Sequence, residues 1–257
     1  MVTPVSGLVV LAALAGNPQS VPTAETAAVS DRTVSPAPKP SPPLSDEMRG
    51  DIYMARKMYR EAIEAYKQMP QSPIVVNKIG IAYHQQMQLD QARRHYERAI
   101  KMNPKYSEAI NNLGTVHYAK KSYRRAVNQY KKALKVNPNS ASILSNLGTA
   151  HFARKKYKDA FVAYQRALEL DPEVFEHRST QGVLLQERSV AEKARFHYFL
   201  SKTYAKAGQV DRALLYMRKA IEEGFKERNK FKEDPEFANM QELPEFQQLL
   251  TMEVRVL

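Results

Sequence analysis

The sequence contains no cysteine and no tryptophan, and only nine of its 257 residues are glycine. Because cysteine is absent, disulfide bonds and thiol chemistry are excluded, while the redox compartment of the protein stays open. The apolar residues are rich in alanine, leucine, methionine and tyrosine, and the first three of these favour helices over sheets. The composition therefore predicts an all-α protein.

Residues 107–172 carry nearly the same pattern twice, at an offset of 34 residues. A leucine-glycine pair is followed by an alanine, a tyrosine and a proline at fixed intervals, while the residues between them vary. The chain is therefore predicted to be a repeat array, in which each unit packs on its neighbours. The matched positions are Leu113, Gly114, Ala126, Tyr130 and Pro138 in one copy and Leu147, Gly148, Ala160, Tyr164 and Pro172 in the next.

Three more segments follow the same pattern, around Gly80, around Gly50 and, with a serine in the glycine place, around Ser201. Together these residues resemble the tetratricopeptide repeat (TPR), and the likeness covers residues 43–225. The resemblance implies an all-α solenoid of about five antiparallel helix pairs. These pairs would form a right-handed superhelix whose concave groove is lined by the first helix of each pair. Gly114 and Ala126 are small because two helices are expected to approach closely there.

The segments outside the regular repeats divide the chain further. Residues 1–16 contain an apolar run that is typical of a signal peptide and predicts export to a bacterial periplasm. No lysine or arginine precedes that run, so an apolar disordered terminus or a start upstream of Met1 stays open. Residues 17–42 are rich in proline, alanine and serine, which predicts a disordered linker. Residues 226–257 are similar to the capping tails that follow TPR arrays in many bacterial proteins.

The repeat rhythm is interrupted at residues 173–193, which predicts an insertion before the last repeat. Ser189 and Glu192 have the spacing of a capping box, so one helix is expected near 175–187 and another from Val190 to Ala207. The first of these could pack as an extra helix, or Val183 and its apolar neighbours could close over the groove as a lid.

The resemblance places a peptide-binding groove on the first helices, where the predicted contact residues are uncharged. Asn112 and Asn146 match the asparagine ladder by which some TPR proteins hold an extended peptide backbone, since amides both donate and accept hydrogen bonds. Tyr118 and Phe152 could offer aromatic surface to the ligand, or could pack on the adjoining helix instead. The predicted groove residues are Asn77, Asn111, Asn112, Thr115, Tyr118, Ser145, Asn146, Thr149 and Phe152.

No acidic residue lies between Glu108 and Asp159, whereas eleven lysines and arginines do. These residues are expected in interhelix turns and second helices, away from the groove. A solvated face explains such a cluster, and binding of an anionic surface, either nucleic acid or membrane, is the alternative function. The predicted basic edge consists of Lys120, Lys121, Arg124, Arg125, Arg154, Lys155 and Lys156.

Catalysis is not expected, because no phosphate loop, nucleophile elbow or metal-ligand motif is present. His117 and His151 stand where other repeats have tyrosine, which indicates core residues rather than metal ligands. No cofactor is expected, and the oligomeric state stays open. The sequence thus predicts a non-catalytic TPR adaptor that binds an extended segment of another protein.

Overall fold

The computed structural model describes residues 44–176 and 189–253, and every regular element within these ranges is helical. The predicted signal peptide at 1–16, the linker at 17–42 and most of the helix expected at 175–187 lie outside the described residues. Ser189 and Glu192 form the predicted capping box, in which each side chain bonds to the backbone N–H of the other residue. The capping box starts a helix at Val190, as expected.

Ten helices form five antiparallel pairs, which confirms the predicted all-α array of about five pairs. We number the pairs as repeats 1 to 5, each consisting of a first and a second helix. The helices are α1 (Asp46–Ala55) and α2 (Tyr59–Lys67), α3 (Pro73–Gln85) and α4 (Leu89–Met102), α5 (Ser107–Ala119) and α6 (Tyr123–Val136), α7 (Ala141–Ala153) and α8 (Tyr157–Leu170), and α9 (Val190–Lys206) and α10 (Val210–Glu222).

The glycine of each of the first four repeats lies under a tyrosine ring from the second helix of the same pair. A Cβ atom on Gly114 would stand 2.5 Å from Cε1 of Tyr130, and one on Gly148 would stand 2.4 Å from Cε1 of Tyr164. Both rings are fully buried. The predicted close approach is therefore confirmed, and the group that requires it is an aromatic ring.

The hydroxyl groups of these two tyrosines differ, which predicts opposite effects of removing them. Tyr164 Oη donates to Thr149 Oγ1 at 3.2 Å, whereas Tyr130 Oη is buried without a partner in the described part of the chain. Tyr164→Phe should lower the free energy of unfolding by about 1 kcal/mol, while Tyr130→Phe should leave it unchanged or raise it. Urea denaturation of both variants checks this pair, and an equal loss in both would contradict it.

The C-terminal tail packs against the last repeat. It contains α11 (Lys230–Glu233), a 3₁₀ helix (Pro235–Met240) and α12 (Pro244–Thr251). Phe231, Phe237 and Phe246 are fully buried in one cluster with side chains of α9 and α10.

A partly buried ionic contact joins the same tail to α9. Lys202 Nζ lies 2.9 Å from Asp234 Oδ2 and 3.1 Å from Glu236 Oε2. Tyr198 Oη also donates to Asp234. Aromatic packing and ion pairing therefore fix the tail on the same end of the array.

Candidate functional site: the first-helix row and the basic edge

The first helices of neighbouring repeats contact one another along one side of the array. Helix α5 touches both α3 and α7, in addition to packing on its own second helix α6. Hydrogen bonds also run directly between these first helices, so α3, α5 and α7 form one continuous row, which we call the first-helix row. All nine predicted groove residues lie on α3, α5 and α7.

Four asparagines on these helices form a continuous chain of hydrogen bonds, which we call the amide ladder. Asn146 Nδ2 donates to Asn111 Oδ1 at 3.0 Å, and Asn112 Nδ2 donates to Asn77 Oδ1 at 3.1 Å. Within α5, Asn111 Nδ2 donates to Asn112 Oδ1 at 3.4 Å. All four side chains are 2–3% exposed. The amides therefore bond to each other across two repeat interfaces, which the sequence reasoning did not anticipate.

The ladder continues beyond the asparagines and ends on a carboxylate. Asn77 Nδ2 donates to Tyr106 Oη at 3.3 Å, and Tyr106 Oη donates to Glu108 Oε2 at 3.0 Å. Each of Asn77, Asn111 and Asn112 uses one N–H and one acceptor lone pair in this chain. Among the described residues, a second N–H and a second lone pair on each of these three amides have no partner.

The interface between repeats 1 and 2 uses the same two positions with charged residues. In repeat 2 the residue two before Gly80 is Lys78, and in repeat 1 the residue three before Gly50 is Glu47. Lys78 Nζ lies 2.9 Å from Glu47 Oε1. The same ammonium group lies 2.8 Å from Asp51 Oδ1. Burial alone would raise the pKa of Asp51, but the hydrogen bonds from Lys78 and Tyr66 outweigh it and lower that pKa. An ion pair thus takes the place of the amide pair.

The hydroxyl groups of the predicted groove bond to their own helices. Thr115 Oγ1 donates to the Asn112 carbonyl at 2.7 Å, and Thr149 Oγ1 donates to the Ser145 carbonyl at 2.9 Å. Both threonines are buried, whereas Ser145 is half-buried and donates to the Ser142 carbonyl at 2.9 Å. Ser145 is therefore the more accessible of these polar positions.

The two predicted groove aromatics occupy different environments. Tyr118 is half-buried, with its ring 5.1 Å from that of Tyr123. Phe152 is 4% exposed and packs edge-on against Phe196 and Phe199 of α9. Phe152 therefore belongs to an aromatic junction between repeats 4 and 5, which corresponds to the packing alternative.

Sequence reasoning did not assign Phe199 a role in this junction, although a signal was available. Ser201 stands in the glycine place of repeat 5, so Phe199, two residues earlier, occupies the position that Asn112 and Asn146 occupy in repeats 3 and 4. In the structure Phe199 stacks on Tyr157 with ring centroids 5.1 Å apart. An aromatic pair therefore occupies the last repeat interface.

The basic edge lies at two neighbouring turns, α5–α6 and α7–α8. Lys121 and Lys155 each adopt a left-handed backbone conformation there, with φ of 57° and 58°. The Lys121 N–H donates to the Tyr118 carbonyl, and the next N–H donates to the His117 carbonyl, both at 2.8 Å. This closes the end of α5 and turns the chain sharply. Six of the seven predicted residues are exposed and Arg154 is half-buried.

The cations of this edge have few internal partners. Lys120 pairs with Asp90 of repeat 2 at 2.5 Å. Within residues 44–176 and 189–253, no carboxylate lies within 4.0 Å of the other six predicted residues. The edge is therefore a region of uncompensated positive charge.

The two repeat-core histidines lie beside this charge. Burial, and then the Arg125 guanidinium, lower the pKa of His117 below its ordinary value. Burial lowers the pKa of His151 as well, against the attraction of Asp159. Both shifts favour the neutral form of the imidazole. No His, Asp or Glu cluster suited to a metal ion occurs in the described part of the chain.

Three family models match the sequence, and each is described as a tetratricopeptide repeat. They match residues 71–139, 112–174 and 194–223, which together make up more than half of the chain. The chain belongs to the tetratricopeptide repeat family. The TPR models leave 175–193 unmatched, and this interval falls within the predicted insertion.

A comparison with solved structures finds similar chains at low sequence identity. A crystal structure of MamA has 20% identity and a TM-score of 0.47, with 68% of this chain and 93% of that chain covered. MamA from Desulfovibrio magneticus RS-1, residues 41 to the end, has 19% sequence identity and a TM-score of 0.47, and the match covers 67% of this chain and 89% of that chain. YrrB, described as a TPR protein with an unusual peptide-binding site, has 18% sequence identity and a TM-score of 0.44. That match covers 49% of this chain and 67% of the YrrB chain. No curated protein sequence matches this TPR chain.

Proposed function

We propose that this TPR protein is a non-catalytic scaffold that binds an extended segment of a partner protein along the first helices α3, α5 and α7. The observation that carries the proposal is the direct alignment of these three helices, with uncharged side chains in register from one repeat to the next. An extended strand needs donors and acceptors at regular intervals, and a row of amides and hydroxyls supplies both.

The exposure of the predicted groove residues supports a proposal for which of them would meet the partner first. Because the four ladder asparagines are 2–3% exposed, their main task is to hold neighbouring repeats in register. Tyr118 and Ser145 are more exposed and lie on the same side. We therefore propose that contact begins at Tyr118 and Ser145, and that the amides of Asn77, Asn111 and Asn112 bind backbone only where the segment reaches them.

A bulky substitution at Ser145 tests this proposal without cutting the ladder. Ser145→Arg should lower the affinity for selected extended peptides by about tenfold or more, because the arginine side chain would occupy the row. Peptides would be selected from a displayed library on the native protein, and affinities measured by fluorescence anisotropy.

The matched control is Asn128→Arg, which adds the same charge at an exposed position on the second helix α6. It should bind the selected peptides as the native protein does. Equal affinity of Ser145→Arg and the control would contradict the groove proposal. The binding should also depend only weakly on salt, because the nine predicted groove residues are uncharged.

A further inference from the structure

The basic edge already contains one example of how it holds a carboxylate. Lys120 is the capping residue at the end of α5, and Asp90 is the second residue of α4 in the preceding repeat. Their side chains meet at 2.5 Å across the interface of repeats 2 and 3. This hydrogen bond is the main reason why the pKa of Asp90 lies below its usual value. The contact joins two turns that are far apart in sequence.

One repeat later, both members of this pair are cations. The residue that corresponds to Lys120 is Arg154 at the end of α7, and the one that corresponds to Asp90 is Arg124, the second residue of α6. Neither guanidinium has a carboxylate within 4.0 Å among residues 44–176 and 189–253. At the interface of repeats 3 and 4, both positions are therefore occupied by a cation, and neither is occupied by a carboxylate.

The other two interfaces do not show this doubling of charge. Between repeats 1 and 2 the corresponding residues are Gln86 and Arg60, and between repeats 4 and 5 they are Ala207 and Lys158. Each of these interfaces thus places at most one cation at the two positions. The pair Arg124 and Arg154 is a local feature of one interface, and Lys121, Arg125, Lys155 and Lys156 lie close to it in sequence.

We propose that Arg124 and Arg154 form a docking site for the carboxylates of an acidic segment of a partner protein. The segment would supply the carboxylate that Asp90 supplies one repeat earlier. Arginine suits this role because its planar guanidinium can bind a carboxylate through two parallel hydrogen bonds. The site lies at the turns rather than on the first-helix row, so it is separate from the proposed groove.

The aromatic residues beside the edge favour an acidic protein segment over a nucleic acid. Proteins that bind single strands combine cations with aromatic faces on which bases stack. Tyr157 already stacks on Phe199 with an interplanar angle of 18°, and Tyr123 packs on Tyr118. The Tyr157 ring is thus already engaged by Phe199, and the Arg195 guanidinium lies over it at 5.8 Å from the centroid, which leaves Tyr157 a poor platform for a base.

Arg124→Asp tests the proposal with two readouts that should move in opposite directions. It restores at repeat 3 the acid that repeat 2 has, near the start of a helix where acids are favourable, so the Tm should rise slightly. It should also weaken binding of a short poly-glutamate peptide by about tenfold, the loss expected for one hydrogen bond to a charged group. Binding would be measured by anisotropy at low salt.

The control Lys226→Asp makes the same change of charge at an exposed lysine before α11. It should retain affinity for poly-glutamate within about twofold, since distant exposed charges are screened. An equal loss in both variants, or unchanged binding by Arg124→Asp, would overturn the proposal. Tighter binding of a single-stranded oligonucleotide or of anionic vesicles at equal charge would overturn the choice of partner. Ser145→Arg should keep full affinity for poly-glutamate, and a loss there would mean that the peptide binds the groove instead.

Discussion

Replacing Phe237 by alanine is expected to lower the free energy of unfolding by about 3 to 5 kcal/mol, the usual cost of removing a fully buried aromatic side chain. The ring is 0% exposed and lies 5.2 Å from Phe231 and 6.2 Å from Phe246, measured between centroids. These rings seal the tail onto the last repeat. Because end repeats depend on such a cover, the loss should fall mainly on repeat 5. Urea denaturation gives the total, and amide exchange along α9 and α10 locates it.

The control for this prediction is Leu215→Ala on α10, where the leucine is 43% exposed. That variant should change the free energy of unfolding by no more than about 0.5 kcal/mol. If Phe237→Ala behaves like the control, or if faster exchange appears in repeat 2 rather than in α9, the tail does not stabilise the end of the array.

The second large effect is expected at Gly114, where valine should cost about 2 to 3 kcal/mol of stability through overpacking. The Cβ of any side chain there would stand 2.5 Å from Cε1 of Tyr130, whose ring is fully buried. A ring enclosed in this way has no free direction in which to move. Thermal and urea unfolding of Gly114→Val would measure the loss.

A double-mutant cycle identifies the cause of that loss. In a Tyr130→Leu background the obstructing ring is gone, so Gly114→Val should cost less than about 1 kcal/mol. The same cost in both backgrounds would mean that something other than the ring limits the site. Gly148 and Tyr164 form an equivalent contact at 2.4 Å, so the cycle can be repeated one repeat later.

Much of the fold could be predicted from the 34-residue spacing together with the resemblance to the tetratricopeptide repeat. The spacing predicts an array, the resemblance implies helix pairs, and the recurring small residues at Gly114 and Ala126 and large one at Tyr130 agree with close packing of those helices. The spacing also places Asn112 and Asn146 on successive first helices. It does not show that Asn112 bonds to Asn77, because the partner depends on a sideways offset of one residue between neighbouring helices.

The candidate site was less predictable for similar physical reasons. Tyr118 and Phe152 occupy the same repeat position, yet only Phe152 is buried, because α9 brings Phe196 and Phe199 against it. In the sequence, α9 comes after a segment that breaks the repeat spacing, so the spacing does not predict this contact. The contact between Lys120 and Asp90 also escapes sequence reasoning, because it depends on how the turn after α5 is closed.

The ladder positions have a consequence for how the array could be rearranged. Repeat 2 meets repeat 1 through a lysine and two carboxylates, repeats 3 and 4 meet their predecessors through amides, and repeat 5 meets repeat 4 through aromatic rings. If repeat 2 followed repeat 4, Lys78 would face Ser145 and lose both counter-charges. The repeats are therefore not interchangeable units, and their side chains specify the order in which they stack.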